Sequence, residues 1–174
     1  MNKILLGLGL ALFASVANAQ QFVAVINANY TAGQEPTTPP VNGCVGKELT
    51  RSELDTMIAN GDDVTKACVG TIEDFSFLLT GYPNFNQDIS GWDMSSAKNL
   101  SDFMTQPMNE DPDFDIDLSG WDVSNVENFD RFLLDNVDYP HDLSGWNVDK
   151  ATTWKDFYDL AFFIEPFHIP PKFR

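Results

Sequence analysis

Hydrophobic and polar positions follow a pattern that recurs three times along the chain. The three copies align on Trp92, Trp121 and Trp146, which are 29 and 25 residues apart. In each copy, a Trp-x-Val or similar pair has the period of two that places both side chains on one face of a strand. A second group of apolar residues follows at i, i+3, i+6 and i+7, which is the spacing of a helical face. Each copy therefore predicts a strand followed by a short helix.

The apolar positions of the copies coincide once the tryptophans are aligned, and a weaker copy precedes them. The four aligned sets are Val64, Ala67, Val69, Ile72, Phe75, Leu78 and Leu79; Ile89, Trp92, Met94, Ala97, Leu100, Phe103 and Met104; Leu118, Trp121, Val123, Val126, Phe129, Phe132 and Leu133; and Leu143, Trp146, Val148, Ala151, Trp154, Phe157 and Tyr158. Strand, turn, short helix and return loop in about 25 residues form one turn of a leucine-rich-repeat solenoid. We therefore predict an α/β repeat fold: a short leucine-rich-repeat solenoid with one parallel sheet, about four coils and a helical N-terminal cap. Trp92, Trp121 and Trp146 would form one column of its core.

The beginning of the chain has the composition of a targeting signal. Met1-Asn2-Lys3 is a short positive start, residues 4–13 are apolar, and Ala17-Asn18-Ala19 is a small-x-small cleavage site. Together they predict a cleavable secretory signal peptide, and hence a protein that is secreted, periplasmic or on the cell surface. The predicted segments are the signal peptide at 1–19, a flexible linker at 20–43, an N-terminal cap with the first degenerate coil strand at 44–71, leucine-rich-repeat coils at 72–150, and the last helix with a C-terminal cap or tail at 151–174.

Both ends of the repeat region carry signals of their own. Thr50 and Glu53 form a capping box, and Gly61 is a natural C-terminal stop, so a short helix is predicted between them. The end of the chain, residues 166–174, is rich in proline and aromatic residues and finishes with basic ones. Open ends of a repeat stack must be covered, so this segment is either a C-terminal cap or a docking segment for a partner.

The chain has two cysteines, Cys44 and Cys68. In an exported protein, a lone pair of cysteines favours one disulfide. The alternative is a reactive thiol or half of a metal site, but no histidine or third cysteine lies near them in the sequence.

The charge is strongly acidic, with 26 Asp and Glu against 10 Lys and Arg and a formal net charge of −16. Such a surface repels nucleic acid and anionic membranes, so neither is a predicted partner. No second hydrophobic segment follows the signal peptide, so membrane insertion is not predicted either. We expect a monomer whose surface suits cations or basic proteins, and simple solvation of an exported protein is the alternative interpretation.

If the Trp-x-Val pairs point inward, the residues between them point outward from the sheet. This places candidate binding residues on the sheet face, namely Asp93, Ser95, Asp122, Ser124, Asn147 and Asp149. The alternative is that these Asp, Asn and Ser residues close turns through side-chain to backbone hydrogen bonds.

A second acidic feature lies in the longest return loop. Asp111, Asp113 and Asp115 alternate there, and hard cations such as calcium prefer carboxylate oxygens. The segment lacks the glycine and the distal glutamate of an EF-hand loop. Calcium is therefore the one cofactor that the sequence suggests, and a solvated acidic loop is the alternative.

The repeat resembles a known family. Residues 85–95 read Phe-Asn-Gln-Asp-Ile-Ser-Gly-Trp-Asp-Met-Ser, close to the F-N-x-D-I-S-x-W-D-V-S repeat of the BspA-like bacterial leucine-rich-repeat surface proteins, which include mycoplasma surface lipoproteins. The resemblance extends over roughly residues 49–158. It implies export, display at the cell surface or release, and binding or adhesion without catalysis.

No catalytic constellation is visible. The two histidines, His141 and His168, lie in different contexts, and no phosphate loop, metal-ligand spacing or nucleophile elbow occurs. The sequence therefore predicts an exported, non-catalytic leucine-rich-repeat protein that acts as a protein–protein or cell-surface interaction module. A calcium-dependent structural or matrix protein and a hydrolytic enzyme are the alternatives.

Overall fold

The computed structural model describes residues 43–105, 114–134, 139–158 and 164–174. These residues contain one α-helix, α1 at Arg51–Asn60, and two short 3-10 helices at Pro166–His168 and Pro171–Phe173. They contain no β-strand. The only β-pairing within them is a set of isolated parallel bridges, which join Glu48 to Cys68, Asp74 to Asn99, Asn99 to Asn128, and Asn128 to Thr153.

The predicted leucine-rich-repeat solenoid with a parallel sheet is therefore wrong. The Trp-x-Val pairs have the period of a strand, but turns bound them closely on both sides. Before Trp121, the Asp117 carboxylate accepts the N–H of Ser119 at 2.9 Å, and after it the Asp122 carboxylate accepts the N–H of Ser124 at 3.1 Å. Turns so close together leave no run long enough for a ladder, because a strand needs several consecutive extended residues.

The predicted helices of the repeats are wrong as well. The apolar spacing of residues 126–133 is helical, but Arg131 has a φ of 55°, which lies in the left-handed region. The last helix, predicted from Ala151 onward, is interrupted in the same way by Asp156, with a φ of 54°. Phe77 and Asp102 adopt this conformation at the equivalent positions of the first two copies. A right-handed helix cannot continue through such a residue.

The copies nevertheless lie side by side as coils. At the bridge position of each pair of neighbours, an N–H group of one coil donates to a carbonyl of the next, from Phe75 to Asn99, from Leu100 to Asn128, and from Phe129 to Thr153, each 2.9 Å long. The coils are therefore stacked, but isolated bridges join them in place of a continuous sheet.

The core lies inside this stack. Every apolar position of the aligned sets is buried except Trp154 and Tyr158, which are half-buried. Trp92, Trp121 and Trp146 retain between 4% and 5% of their exposed area. Their indole N–H groups donate to a carbonyl of the preceding coil: Trp92 to Val64 at 2.9 Å, Trp121 to Ile89 at 3.1 Å, and Trp146 to Leu118 at 3.1 Å. Each tryptophan thus fills the core and ties its coil to the one before, as a buried indole requires a polar partner.

The helix α1 covers the first coil. Thr50 is its N-cap, and both hydrogen bonds of the predicted capping box with Glu53 are present. Gly61 ends the helix in the left-handed conformation, with a φ of 73°, which is favourable for glycine. Leu54 and Ile58 are the buried residues of the helix.

The predicted disulfide between Cys44 and Cys68 is confirmed, with the two Cα atoms 5.1 Å apart. It ties the segment before α1 to the first coil. Two backbone bonds reinforce this attachment, from the N–H of Val45 to the C=O of Lys66 and from that of Leu49 to Cys68.

The end of the chain covers the last coil. Phe173 is buried and its ring packs against those of Phe129, Trp154 and Phe157, with centroids 4.9–5.2 Å apart. The Lys172 ammonium donates to the carbonyls of Val148, Asp149 and Ala151 at 2.8–3.1 Å. These contacts agree with the cap interpretation of the tail.

Candidate functional site

The polar residues of the repeat form two rows of turns on the outside of the stack. In the first-turn row (Asp63, Asp88, Asp117 and Asp142), each carboxylate accepts the N–H of the residue two positions on, at 2.8–3.1 Å. The hydroxyl groups of Thr65 and Ser90 donate to the same carboxylate oxygens at 2.6–2.7 Å. A side chain that closes a turn in this way replaces a hydrogen bond that the backbone lacks there.

The second-turn row (Asp93, Asp122 and Asn147) contains the residues predicted to bind. Their side chains accept the N–H groups of Ser95, Ser124 and Asp149, respectively, at 3.0–3.1 Å. They do not lie on a sheet face, because the described residues form no sheet. The turn-closing interpretation agrees with these hydrogen bonds. Asp122, Asn147 and Asp149 are exposed, whereas Asp93, Ser95 and Ser124 are half-buried.

The hydrogen bonds of these turns lower the pKa of the carboxyl groups that accept them. For Asp88, Asp117 and Asp142, the bond from the serine hydroxyl is the largest cause and the serine backbone N–H is the second. The pKa of Asp122 falls for the same two reasons. For Asp63, the backbone N–H of Thr65 contributes most to lowering the pKa. Each bond stabilises the charged form, so these exposed groups remain carboxylates at neutral pH.

Acid is therefore expected to destabilise the fold through the first-turn row. A carboxyl whose pKa is lower in the folded than in the unfolded chain contributes stability above its unfolded pKa and loses that contribution as the pH falls through its folded pKa. The urea concentration at half-unfolding should accordingly decrease between about pH 5 and pH 2. Replacing Asp88, Asp117 and Asp142 together by Asn keeps a turn acceptor, as Asn147 does, but removes the titration. This variant should lose less stability in acid than the wild type.

The control for the acid experiment is Asp149→Asn. This exposed carboxylate closes no turn within the described part of the chain, so the variant removes a charge but no turn-closing acceptor and should respond to acid as the wild type does. Equal acid sensitivity of the wild type and the triple variant would contradict a role of these turns.

A shallow groove lies beside the two rows of turns. Between the second and third copies it is lined by Gly91 and Gly120, by Trp92, and by Asp93 and Asp122. Both glycines are exposed, and a Cβ atom added to either would meet no atom within 4 Å. Gly145 of the next copy has the same open surroundings. We call the three glycines the glycine lane.

Neither the backbone nor the packing requires glycine in this lane. None of the three residues has a positive φ. The turn is closed by a bond from the N–H of Trp92 to the C=O of Ile89 at 3.1 Å, and the first coil makes the same turn from Ala67 to Val64 at 3.0 Å. The first coil carries Lys66 at the position of Gly91. The chain itself therefore shows that a long side chain is compatible with this turn.

The predicted calcium site lies mostly outside the described residues, because Asp111 and Asp113 are not among them. Asp115 is described, and its carboxylate lies 2.8 Å from the Nε2 atom of His141. Within the described ranges, the one group of three side chains close enough to share a metal ion is Cys44, Glu48 and Cys68. Its two sulfur atoms form the disulfide, so they are not available as thiolate ligands.

The first-turn row was not predicted from the sequence. The signal was present, because Asp-x-Ser-Gly recurs in three copies and is turn chemistry. The period of two around each tryptophan led to a strand assignment, so the Asp residues of the first-turn row were not interpreted as closing turns. Within the described parts of the chain, no helix is long and apolar enough to cross a membrane.

These observations define a repeat protein whose coils are closed by Asp and Asn side chains and held together by a tryptophan core. The chain belongs to the family described as "Mycoplasma protein of unknown function, DUF285", whose family model matches residues 51–165. The match begins with the first residue of α1 and extends through all four copies. No curated protein and no solved structure matches the chain.

Proposed function

We propose that this protein is an exported, non-catalytic interaction module of the BspA-like surface type, and that it binds a partner protein along the glycine lane. Export rests on the signal-peptide pattern of residues 1–19. The surface type rests on the repeat sequence of residues 85–95 and on membership of the family. The site rests on the geometry of the turns.

The proposal rests on a glycine that recurs in three copies although neither the backbone conformation nor the packing requires it. Gly91, Gly120 and Gly145 have neither a positive φ nor a neighbour that a Cβ atom would strike. A residue without a side chain leaves the backbone accessible to another molecule. The lane extends over three coils, so its natural ligand is an elongated segment that lies along the stack.

The charge beside the lane indicates the chemistry of the partner. The first-turn row and Asp122 of the second-turn row are exposed carboxylates with lowered pKa values. Opposite charges across an interface favour encounter and suppress partners of the wrong sign. A protein segment that carries Lys or Arg residues therefore fits this surface best.

The test is capture of partners by variants that block the lane. The mature protein, residues 20–174, is immobilised and incubated with extracellular and cell-surface protein fractions, and the bound proteins are identified by mass spectrometry. Gly120→Lys should abolish specific capture while its unfolding midpoint stays close to that of the wild type, since Lys66 occupies the same turn position. Gly120→Gln tests the steric effect without adding a charge.

The matched control is Ser96→Lys. Ser96 lies in the second turn, at the position where the last copy carries Lys150, so the fold accepts a lysine there. This variant changes the charge equally but leaves the lane open, and it should still capture the partner. Equal capture by the wild type and Gly120→Lys, or no specific capture by the wild type, would refute the proposal. Progressive cleavage of a captured protein would instead favour the hydrolytic alternative.

A further inference from the structure

Arg51, the first residue of α1, contacts the first coil through its guanidinium group. Its two terminal nitrogens donate to the carbonyls of Asp74 and Ser76, both at 2.8 Å, while Nε donates to Asp55 at 2.7 Å. The two carbonyls are two residues apart and lie beside the bridge between Asp74 and Asn99. One fork-shaped side chain thus satisfies two backbone acceptors at once.

In every later coil, the two equivalent carbonyls accept N–H groups of the preceding coil. The N–H groups of Phe75 and Phe77 donate to the carbonyls of Asn99 and Ser101 in the next coil. The pattern recurs from Leu100 and Asp102 to Asn128 and Asp130, and from Phe129 and Arg131 to Thr153 and Lys155, at 2.8–3.0 Å. Asp74 and Ser76 occupy the acceptor positions of the first coil. The Arg51 guanidinium therefore takes the place of the two N–H groups that a preceding coil would supply.

The opposite end of the stack presents the matching donors. Trp154 and Asp156 are the equivalents of Phe129 and Arg131, and within the described ranges their N–H groups have no acceptor. The C-terminal tail covers other groups of this coil. Lys172 binds the carbonyls of residues 148, 149 and 151, and Phe173 packs on the Trp154 ring.

We infer that the backbone edge of the first coil at Asp74 and Ser76, beside the part that α1 covers, is a pairing surface for the Trp154–Asp156 edge of a second copy of this chain, and that Arg51 keeps this edge closed. The N–H groups of Trp154 and Asp156 have the same two-residue spacing as the donor pairs of the other coils, so they match the acceptor carbonyls of Asp74 and Ser76. Unpaired backbone groups at the edge of a ladder are a template for another chain. Head-to-tail pairing of this kind repeats from copy to copy and leads to open filaments unless the rotation between copies closes a ring. Arg51 prevents this association by occupying the acceptors.

The test is removal of the guanidinium. The Arg51→Met variant keeps an unbranched side chain in the helix but leaves both carbonyls unoccupied. Analytical ultracentrifugation should give the mass of one chain for the wild type at all concentrations. For the variant, the mass should rise with concentration toward two or more chains. Amide hydrogen exchange measured by NMR should then show new protection of the Trp154 and Asp156 amides in the concentrated variant.

Two further variants make the result specific. Lys47→Met removes a cation from the same cap, but Lys47 pairs with Glu53 and not with a coil carbonyl, so it should remain a single chain. Arg51→Lys retains the charge without the two-pronged fork and should associate to an intermediate degree; it also serves as the test if the methionine variant does not fold. A folded variant that stays a single chain at high concentration, or that associates without protecting the two amides, would overturn the inference.

Discussion

Replacing Trp121 by Ala is expected to lower the free energy of unfolding by about 4 kcal/mol, within the range for large aromatic residues in cores. Trp121 retains 4% of its exposed area and packs edge-on against Phe103, with ring centroids 5.6 Å apart. Its indole N–H also donates to Ile89 of the preceding coil at 3.1 Å. The substitution therefore creates a cavity and removes a bond between coils. Urea unfolding followed by circular dichroism measures the change.

Trp121→Phe separates these two contributions. It keeps most of the ring volume but leaves the carbonyl of Ile89 without its donor, so we expect a loss of about 1–3 kcal/mol. Trp154→Ala is the control for a tryptophan at the edge of the core, because Trp154 is half-buried and its indole is stacked on Phe173. It should cost less than Trp121→Ala. Similar losses for both alanine variants would contradict the special role of the buried column.

Replacing Arg131 by Met is expected to lower the free energy of unfolding by about 3 kcal/mol, because it leaves a buried carboxylate unpaired. Arg131 binds Asp102 of the preceding coil through two nitrogens, each 2.7 Å from a carboxylate oxygen. The Asp102 side chain is only 6% exposed, whereas that of Arg131 is 36% exposed. The estimate lies at the lower end of the range for buried pairs because water screens the arginine.

A double-mutant cycle tests whether the unpaired charge is the cause. Asp102→Asn combined with Arg131→Met removes both charges, so the double variant should be more stable than Arg131→Met alone. Urea unfolding at neutral pH measures all three variants. A double variant that is less stable than Arg131→Met would show that packing, and not the lone carboxylate, causes the loss. The bond also raises the pKa of Arg131, mainly through the hydrogen bond to Asp102, which agrees with a strong pair.

The interior of this protein and the helix α1 could be predicted from the sequence, but the backbone conformation of the repeats could not. Burial depends on apolar character, and the aligned sets around Trp92, Trp121 and Trp146 identify the residues that lie inside. The backbone between them depends on turn chemistry. Asp-x-Ser closes a turn at Asp117 and again at Asp122, and these turns outweigh the strand preference of Trp and Val.

The left-handed residues could not have been found from the sequence. Phe77 and Arg131 are not residue types that favour a positive φ, yet both adopt one. Bonds to the next coil hold them there, from the N–H of Phe77 to Ser101 and from that of Arg131 to Lys155. Such tertiary constraints leave no local signal in the chain, and the i, i+3 spacing of the neighbouring apolar residues suggested a helix instead.

The candidate site was predictable in part. The Asp and Ser residues of the second turn were identified as outward-facing, and the turn-closing alternative describes their hydrogen bonds. The contacts of Arg51 could not have been foreseen, because its two acceptors lie 23 and 25 residues further along the chain. Their spacing has meaning only once the coils are stacked.

The bonds between the coils have a consequence for how such a protein can change its length. Each tryptophan donates only to the coil immediately before it, and each bridge joins only neighbouring coils. The special contacts of Arg51 and Lys172 are confined to the two ends. A duplication or loss of one complete 25- or 29-residue unit would therefore leave every remaining junction of the same kind. Genetic recombination between copies could lengthen or shorten the glycine lane by whole repeat units, while the contacts of Arg51 and Lys172 at the two ends stay the same.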